Sequence, residues 1–388
     1  MGGETCDLLI VGASFAGLVA ARTAAMRGLD VVVLEAKPEP GARVATTGIL
    51  VKEAAEAIDV PHALTRRVHG VRLYAPNLTH IDLFSPGSFF LTTDTAGLLR
   101  WLACEAERAG ARIRCRVGFA GAARQGGTFQ IAGLDLTARY ILGADGARSA
   151  VAKHFGLGRN KQFLVGVEAE FDGLDSVDPR FLHCFLDGTV APGYLAWIAS
   201  GPQVTQVGLA ASAGRRADLA AFRSRTEPLF GFSRGHIVER RAGRIPAGGL
   251  VHPWSAPGVL LVGDAAGMVS PATGGGIRLA FQFGRRAAQV IADHLMHLGP
   301  APEAVLAREL PCFGLKRLMR VGLDLVPYNF LFDTAIATAP MRRLAAHIYF
   351  HRRNVKGMSF AEFEAHITAL AGDMAAPMTT PLSTSDSS

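Results

Sequence analysis

The chain has 388 residues, 49% of them hydrophobic and 19% charged, which supplies enough apolar material for two packed domains and excludes a wholly disordered polymer. Lys and Arg number 40 against 33 Asp and Glu, a net +7 that is scattered apart from short groups such as Arg215-Arg216, Arg240-Arg241 and His351-Arg352-Arg353. Without aromatics interleaved among those cations, nucleic acid is excluded as a partner, and the mild excess favours phosphate groups or an anionic membrane surface.

Asp7 to Val11 is a continuous apolar run that reads as a buried strand, and a helical pattern from Phe15 to about Gly28 follows. A second buried strand, Val31 to Leu34, ends in Glu35. Between them lies Gly12-Ala13-Ser14-Phe15-Ala16-Gly17, a variant of the G-x-G-x-x-G phosphate turn with Ser14 in the middle glycine's place. Gly12 permits the tight turn, Ser14 is small enough for close backbone approach to a pyrophosphate, and Gly17 lets helix pack on strand. The helix start at Phe15 and Ala16 offers free N–H groups and a positive dipole end. Glu35, followed by Ala36, stands where a carboxylate accepts hydrogen bonds from an adenosine ribose and repels the 2′-phosphate of NADP, which leaves FAD or NAD.

After a loop from Lys37 to Gly41, an irregular stretch predicts a helix near Lys52 to Ala57 and strands near Val68 to Tyr74 and Ile81 to Phe84. Asp94 is placed as the N-cap of a helix running to about Gly110, with Leu98, Leu99, Leu102 and Ala106 at helical spacing. Ile113 to Val117 returns to the sheet, and Phe129 to Ile131 with Leu134 to Leu142 deliver a second turn, Gly143-Ala144-Asp145-Gly146. Val165 to Phe171, Phe181 to Leu186, Tyr194 to Ala199 and Val204 to Ala210 predict an antiparallel sheet that walls a substrate cavity.

The strand Val259 to Val262 leads into Gly263-Asp264-Ala265-Ala266-Gly267 and then Pro271-Ala272-Thr273-Gly274-Gly275-Gly276-Ile277, which opens a helix to about Leu298. Asp264 is delivered by a buried strand to a loop where its carboxylate suits a polyol hydroxyl, and the helix dipole behind the glycine run suits negative charge on a reduced flavin. NAD has no ribityl chain to account for that aspartate, so the expected nucleotide is FAD. After Pro300, Leu315, Leu318, Met319, Gly322, Leu323 and Val326 form an apolar stripe beside Lys316, Arg317 and Arg320. This reads as a helix capping the substrate domain or as one lying on a membrane surface.

Five cysteines, Cys6, Cys104, Cys115, Cys184 and Cys312, lack any Cys-x-x-Cys spacing, so neither a disulfide framework nor a metal site is expected and reduced thiols fit a cytoplasmic protein. The first strand begins too early for a secretory leader, and no uncharged apolar run reaches the length of a membrane span. Peripheral membrane contact stays open.

The three glycine blocks, in this order over nearly the first 300 residues, resemble the FAD-dependent oxidoreductases that include aromatic hydroxylases, flavin-dependent halogenases and geranylgeranyl reductases. The resemblance implies that Gly12, Ser14, Gly17 and Glu35 contact ADP, that Asp145 lies near the pyrophosphate, and that Asp264 binds ribityl or phosphate oxygens. Arg43 is expected to reach the cofactor from the loop after Glu35; Phe15, Ala16, Ala36, Val117, Gly146, Gly263, Pro271, Gly274, Gly275, Gly276 and Ile277 complete the expected set.

Hydroxylases of that class usually carry a histidine after G-D-A-A, where this chain has Gly267, and GDAAGMVSPATGGGIRLAFQFGRRAA is similar to the geranylgeranyl reductase pattern with Gly275 in place of its usual glutamate. Pro192-Gly193-Tyr194-Leu195-Ala196-Trp197 resembles that group's Tyr-x-x-Trp substrate motif but lacks the Phe-Pro-Lys ending; Tyr194 and Trp197 are read as substrate wall or as sheet core. Thr46 and Thr47 stand where some archaeal members carry a cysteine facing the flavin.

The expected architecture is α/β: a discontinuous Rossmann-like FAD-binding domain (1–60, 93–155 and 256–299), an inserted antiparallel-sheet substrate domain (61–92 and 156–255), a helical C-terminal region (300–372) and a disordered tail (373–388). The implied activity is FAD-dependent reduction of carbon–carbon double bonds in an isoprenoid or other hydrophobic, lipid-like substrate. Monooxygenation or halogenation, and a non-catalytic electron-transfer role, are the alternatives. No catalytic acid is assigned, because His183, Cys184 and Tyr194 are residue types that are ordinarily structural when buried. Neither a second nucleotide motif nor an iron–sulfur spacing appears, so electrons are expected from transiently bound NAD(P)H or from a separate reductase protein.

Overall fold

The computed structural model describes residues 3–325 and 329–350. Its first sheet has the order Ser255–Ala256, Val259–Leu261, Leu136–Gly143, Glu4–Val11, Val31–Glu35, Arg112–Cys115, and its four inner pairings are parallel. Ser255–Ala256 and the hairpin Ala122–Gln125 with Thr128–Ile131 are antiparallel additions. Leu8 to Ile10 and Val31 to Leu34 are buried on both faces, which is why these strands read as unbroken apolar runs rather than as alternating ones.

Register matters more than strand count for the site. Val11 pairs with both Gly143 and Leu34, and Gly143 pairs with Leu261, so the strands end level and all three glycine blocks leave the sheet at one edge.

Helix Phe15–Met26 packs closely against helix Ile277–Leu295, with Phe15 edge-on to Phe281 at 5.5 Å between ring centroids. A side chain at Gly284 would collide with the carbonyl of Ala16, so a glycine is needed for this approach. Helix Thr95–Arg108 starts as expected at Asp94, whose carboxylate accepts from Gly97 N at 2.9 Å, and buries Leu98, Leu99, Leu102 and Ala106.

The second sheet has seven strands in the order His236–Pro246, Phe163–Asp172, Thr205–Ser212, Ala196–Ser200, Phe181–Phe185, Gly70–Tyr74, His80–Phe84. All pairings are antiparallel except Phe181–Phe185 with Gly70–Tyr74, because the chain visits the first sheet between these strands and returns in the same direction. The expected single strand from Val68 to Tyr74 is divided at His69: Thr65–Val68 joins a small sheet with Phe90–Thr93 and Leu50–Val51, while Gly70–Tyr74 enters the large one. His69 N and Gly70 N both donate to Arg180 O at that break. Two elements had no sequence signal strong enough to place them: helix Leu219–Phe230 and the edge strand His236–Pro246, whose charged residues mask the alternation while protecting an exposed edge.

Past residue 300 the described elements are helices Pro302–Leu306, Gly314–Leu325, Asn329–Ala335 and Ala339–Phe350. Arg320 is buried and fastens Gly314–Leu325 to the second sheet, donating to Gly193 O and pairing with Asp324 at 2.8 Å. Of the expected apolar stripe, Met319 and Leu323 are half-buried on the cavity wall and Gly322 borders it, whereas Leu318 is 68% exposed. Val326, the side chain of Leu315 and the expected tail 373–388 lie outside what is described.

Candidate functional site

A cavity of about 1480 Å³ lies between the level edge of the first sheet and the face of the second. That exceeds the range of roughly 300–1,000 Å³ usual for one drug-sized ligand. It therefore accommodates an extended cofactor together with a second molecule.

The first glycine block forms its entrance to the nucleotide side. Gly12 adopts φ +104°, and a side chain there would strike the carbonyl of Ala144, whose own N–H donates to Val11 O at 2.8 Å. Gly17 lies beneath the turn, where a Cβ would strike Gly12 O; it shapes the block without lining the cavity. Ser14, Phe15 and Ala16 line the cavity, and no side chain caps the helix they begin, which leaves backbone N–H groups for an anion. Glu35 is buried and braces the same turn, accepting from Ala13 N at 2.7 Å and from Lys37 N at 2.9 Å, with Ala36 and Val117 beside it on the wall.

In the second block Asp145 Oδ2 accepts from Ala150 N at 2.6 Å and Val151 N at 3.1 Å, while Oδ1 is buried with no partner among the described residues. Burial raises its carboxyl above the ordinary aspartate value against the pull of those hydrogen bonds. Gly146 continues the wall.

The third block contributes Gly263 and Asp264 and then Gly274 to Ile277. No donor among the described residues reaches the Asp264 carboxylate, and burial pushes it up to about 6. Asp264 lines the cavity half-buried, so its carboxylate is placed to accept from hydroxyl donors of a bound ligand. Gly276 precedes helix Ile277–Leu295 without a side-chain cap, so a second helix N-terminus also faces the cavity.

Of the remaining expected contacts, Pro271 is buried behind the loop and Arg43 is exposed at φ +48°, neither of them on the cavity wall. The Arg43 carbonyl accepts from Lys37 Nζ at 3.3 Å. Tyr194 and Trp197 both line the cavity: Tyr194 Oη donates to Thr273 O, and Trp197 Nε1 donates to Glu168 Oε2 at 2.8 Å. His183 does not line it. Its Nδ1 is 3.0 Å from Tyr74 Oη and its Nε2 is 3.0 Å from Asp178 O, a buried structural arrangement in which desolvation lowers the imidazole's pKa.

Two further residues at the site belong to no sequence motif. Asn160 Nδ2 donates to Ala147 O at 3.2 Å and to Asp264 O at 2.8 Å, tying the second block to the third. Glu168 is 5% exposed on the cavity wall and paired with Arg241 at 2.7 Å. An acid in the strand Phe163–Asp172, which also carries Glu170 and Asp172, was the available signal, but its meaning depends on strand pairing.

Comparison with known proteins agrees with this geometry. A family model described as an FAD binding domain matches residues 5–307, which sets the chain among FAD-dependent oxidoreductases. A digeranylgeranylglycerophospholipid reductase of Methanothrix thermoacetophila is 31% identical over 331 residues, covering 78% of this chain and 82% of the relative. Digeranylgeranylglycerophospholipid reductase 1 of Methanothermobacter thermautotrophicus is 31% identical over 321 residues, 74% and 77% of the two chains. The crystal structure of a geranylgeranyl bacteriochlorophyll reductase-like protein from Thermoplasma acidophilum superposes with a TM-score of 0.76 at 25% identity, covering 91% of this chain and 98% of that one. This chain belongs to the geranylgeranyl reductase family. A flavin-dependent brominase, at TM-score 0.66 and 14% identity, covers 95% of this chain and 100% of its own and shares the fold alone.

Proposed function

We propose that the enzyme reduces carbon–carbon double bonds in the isoprenoid chain of a lipid or similarly hydrophobic substrate. The observation that carries this reading is the continuity of one cavity from the three glycine blocks to an apolar far end lined by Leu73, Phe90, Leu182, Phe332 and Ile348. The first sheet and its helices (1–60, 93–155 and 256–299) hold the cofactor; the second sheet (61–92 and 156–255) holds the substrate. Bound FAD supplies the two-electron reduction.

The chain's own residues do the rest. Gly12, Ser14, Phe15, Ala16 and Glu35 take the ADP half, Asp145 and Gly146 border the pyrophosphate, and Asp264 accepts from the ribityl hydroxyls. The N-terminus of Ile277–Leu295 steadies negative charge on the flavin. Apolar walls hold the chain in line and exclude water.

Electrons arrive from transient NAD(P)H or a separate reductase. The lipid is met at a membrane surface: no helix among the described residues is long and apolar enough to cross a membrane, yet Leu318, Val321, Phe330 and Leu331 are exposed on helices that also line the cavity. The test is anaerobic reduction of the holoenzyme followed by a geranylgeranyl lipid or by oxygen with an aromatic substrate. Product heavier by one H₂ per saturated bond is expected; turnover only in the oxygen arm would replace this reading with monooxygenation.

A further inference from the structure

The second sheet presents one continuous rung to the cavity. Arg241, Glu168, Gly208, Trp197, Cys184 and Leu73 are paired in succession across six strands, so their side chains share a face, and every one except Gly208 lines the cavity. Gly208 is covered. A Cβ placed on it would lie 2.6 Å from Cε2 and Cζ2 of Trp197, so the indole lies across the bare backbone of the neighbouring strand. At the far side its Nε1 reaches Glu168 Oε2 at 2.8 Å.

That carboxylate is saturated by three side chains. Oε2 also accepts from Thr47 Oγ1 at 2.5 Å, and Oε1 accepts from Arg241 Nε at 2.7 Å. Arg241 in turn bridges to Glu170. Arg241 thus bridges two carboxylates and fixes Glu168 on one side, while the Trp197 N–H is held on the other.

We propose that Glu168 is a positioning residue that lays the Trp197 indole flat over Gly208, making the ring the floor of the substrate cavity and setting the depth open to an isoprenoid chain. The inference rests on the substrate reading above for its kinetic consequence, though not for its geometry. Glu168→Gln cannot satisfy the arrangement, because its amide nitrogen must face either Arg241 or the Trp197 and Thr47 donors. Gly208→Ala lifts the ring by a different route, through direct collision.

Both variants are to be made in the FAD-loaded enzyme, with tryptophan labelled by ¹⁵N and the Trp197 indole resonance assigned by its loss in Trp197→Phe. In wild type this N–H should be protected from solvent exchange; Glu168→Gln should abolish the protection. With geranylgeranyl and geranyl substrates compared, each variant should raise KM for the longer chain by about tenfold or more while leaving kcat and the shorter chain nearly unchanged. Retained protection in Glu168→Gln, or an equal rise in KM for both lengths, would overturn the proposal. If wild type reduces no prenyl chain, the substrate reading falls, and the indole exchange alone decides whether Glu168 holds the ring.

Discussion

The side-chain amide of Asn160 donates to the backbone carbonyl of Asp264 at 2.8 Å, and through its second bond, to Ala147 O, it joins two loops that the sequence separates by more than a hundred residues. Asn160→Ala removes both bonds from a part-buried site, worth about 1 kcal/mol each. FAD affinity, titrated by flavin fluorescence quenching, should fall by about tenfold. Unchanged affinity would mean that the loops hold their spacing without this tie.

Asp264 should give the apoprotein a distinctive pH dependence. Its carboxyl is raised to about 6 by burial, so the folded chain holds the proton more tightly than the unfolded chain, where an aspartate titrates near ~3.9. The stabilisation is therefore complete below about pH 4 and is lost as pH rises through about 6. Asp264→Asn, neutral throughout, should raise the apoprotein Tm at neutral pH by a few degrees and flatten the pH profile, while weakening FAD binding. A lower apoprotein Tm at neutral pH would contradict the assignment.

Gly12→Ala forces a side chain into φ +104° and against the carbonyl of Ala144. Strain of about 1–3 kcal/mol is the least expected consequence. The purified variant should be colourless, with a flavin-to-protein absorbance ratio near zero after dialysis against FAD; a yellow, stable variant would show that the turn can open without loss.

Membrane contact predicts a local effect. Leu318 is 68% and Phe330 80% exposed on the cavity-lining helices, while Leu298 is 72% exposed elsewhere. Residues 314–350 also carry five Lys or Arg against two Asp, which favours anionic lipid. Co-sedimentation with phosphatidylglycerol vesicles should drop about tenfold in Leu318→Asp or Phe330→Asp, since each removes an exposed apolar side chain whose burial in lipid would contribute about 1.5–3 kcal/mol. Leu298→Asp should bind as wild type does. Equal loss in all three would point to nonspecific adsorption.

What could be read from the sequence alone was whatever is local along the chain. Gly12, Ser14 and Glu35 announce themselves within one β-α-β unit, and Asp264 follows its strand directly. The role of Glu168 was not legible because its partner Arg241 is 73 residues away on an edge strand whose charges hide the alternation. Asn160 was missed for the same reason, since it bonds only to distant backbone carbonyls. Arg43, expected to reach the cofactor from the loop after Glu35, is exposed with a left-handed backbone and stands off the cavity wall.

The parallel order of the first sheet also dictates a sequence of events during synthesis. Val259–Leu261 is the last of the parallel strands to leave the ribosome, yet it docks beside Leu136–Gly143, and it alone presents Asp264 level with the other two turns. Nascent chains shorter than about 264 residues carry only two of the three anchoring loops. The level edge shared by the three glycine blocks is consequently complete only once Val259–Leu261 has docked beside Leu136–Gly143.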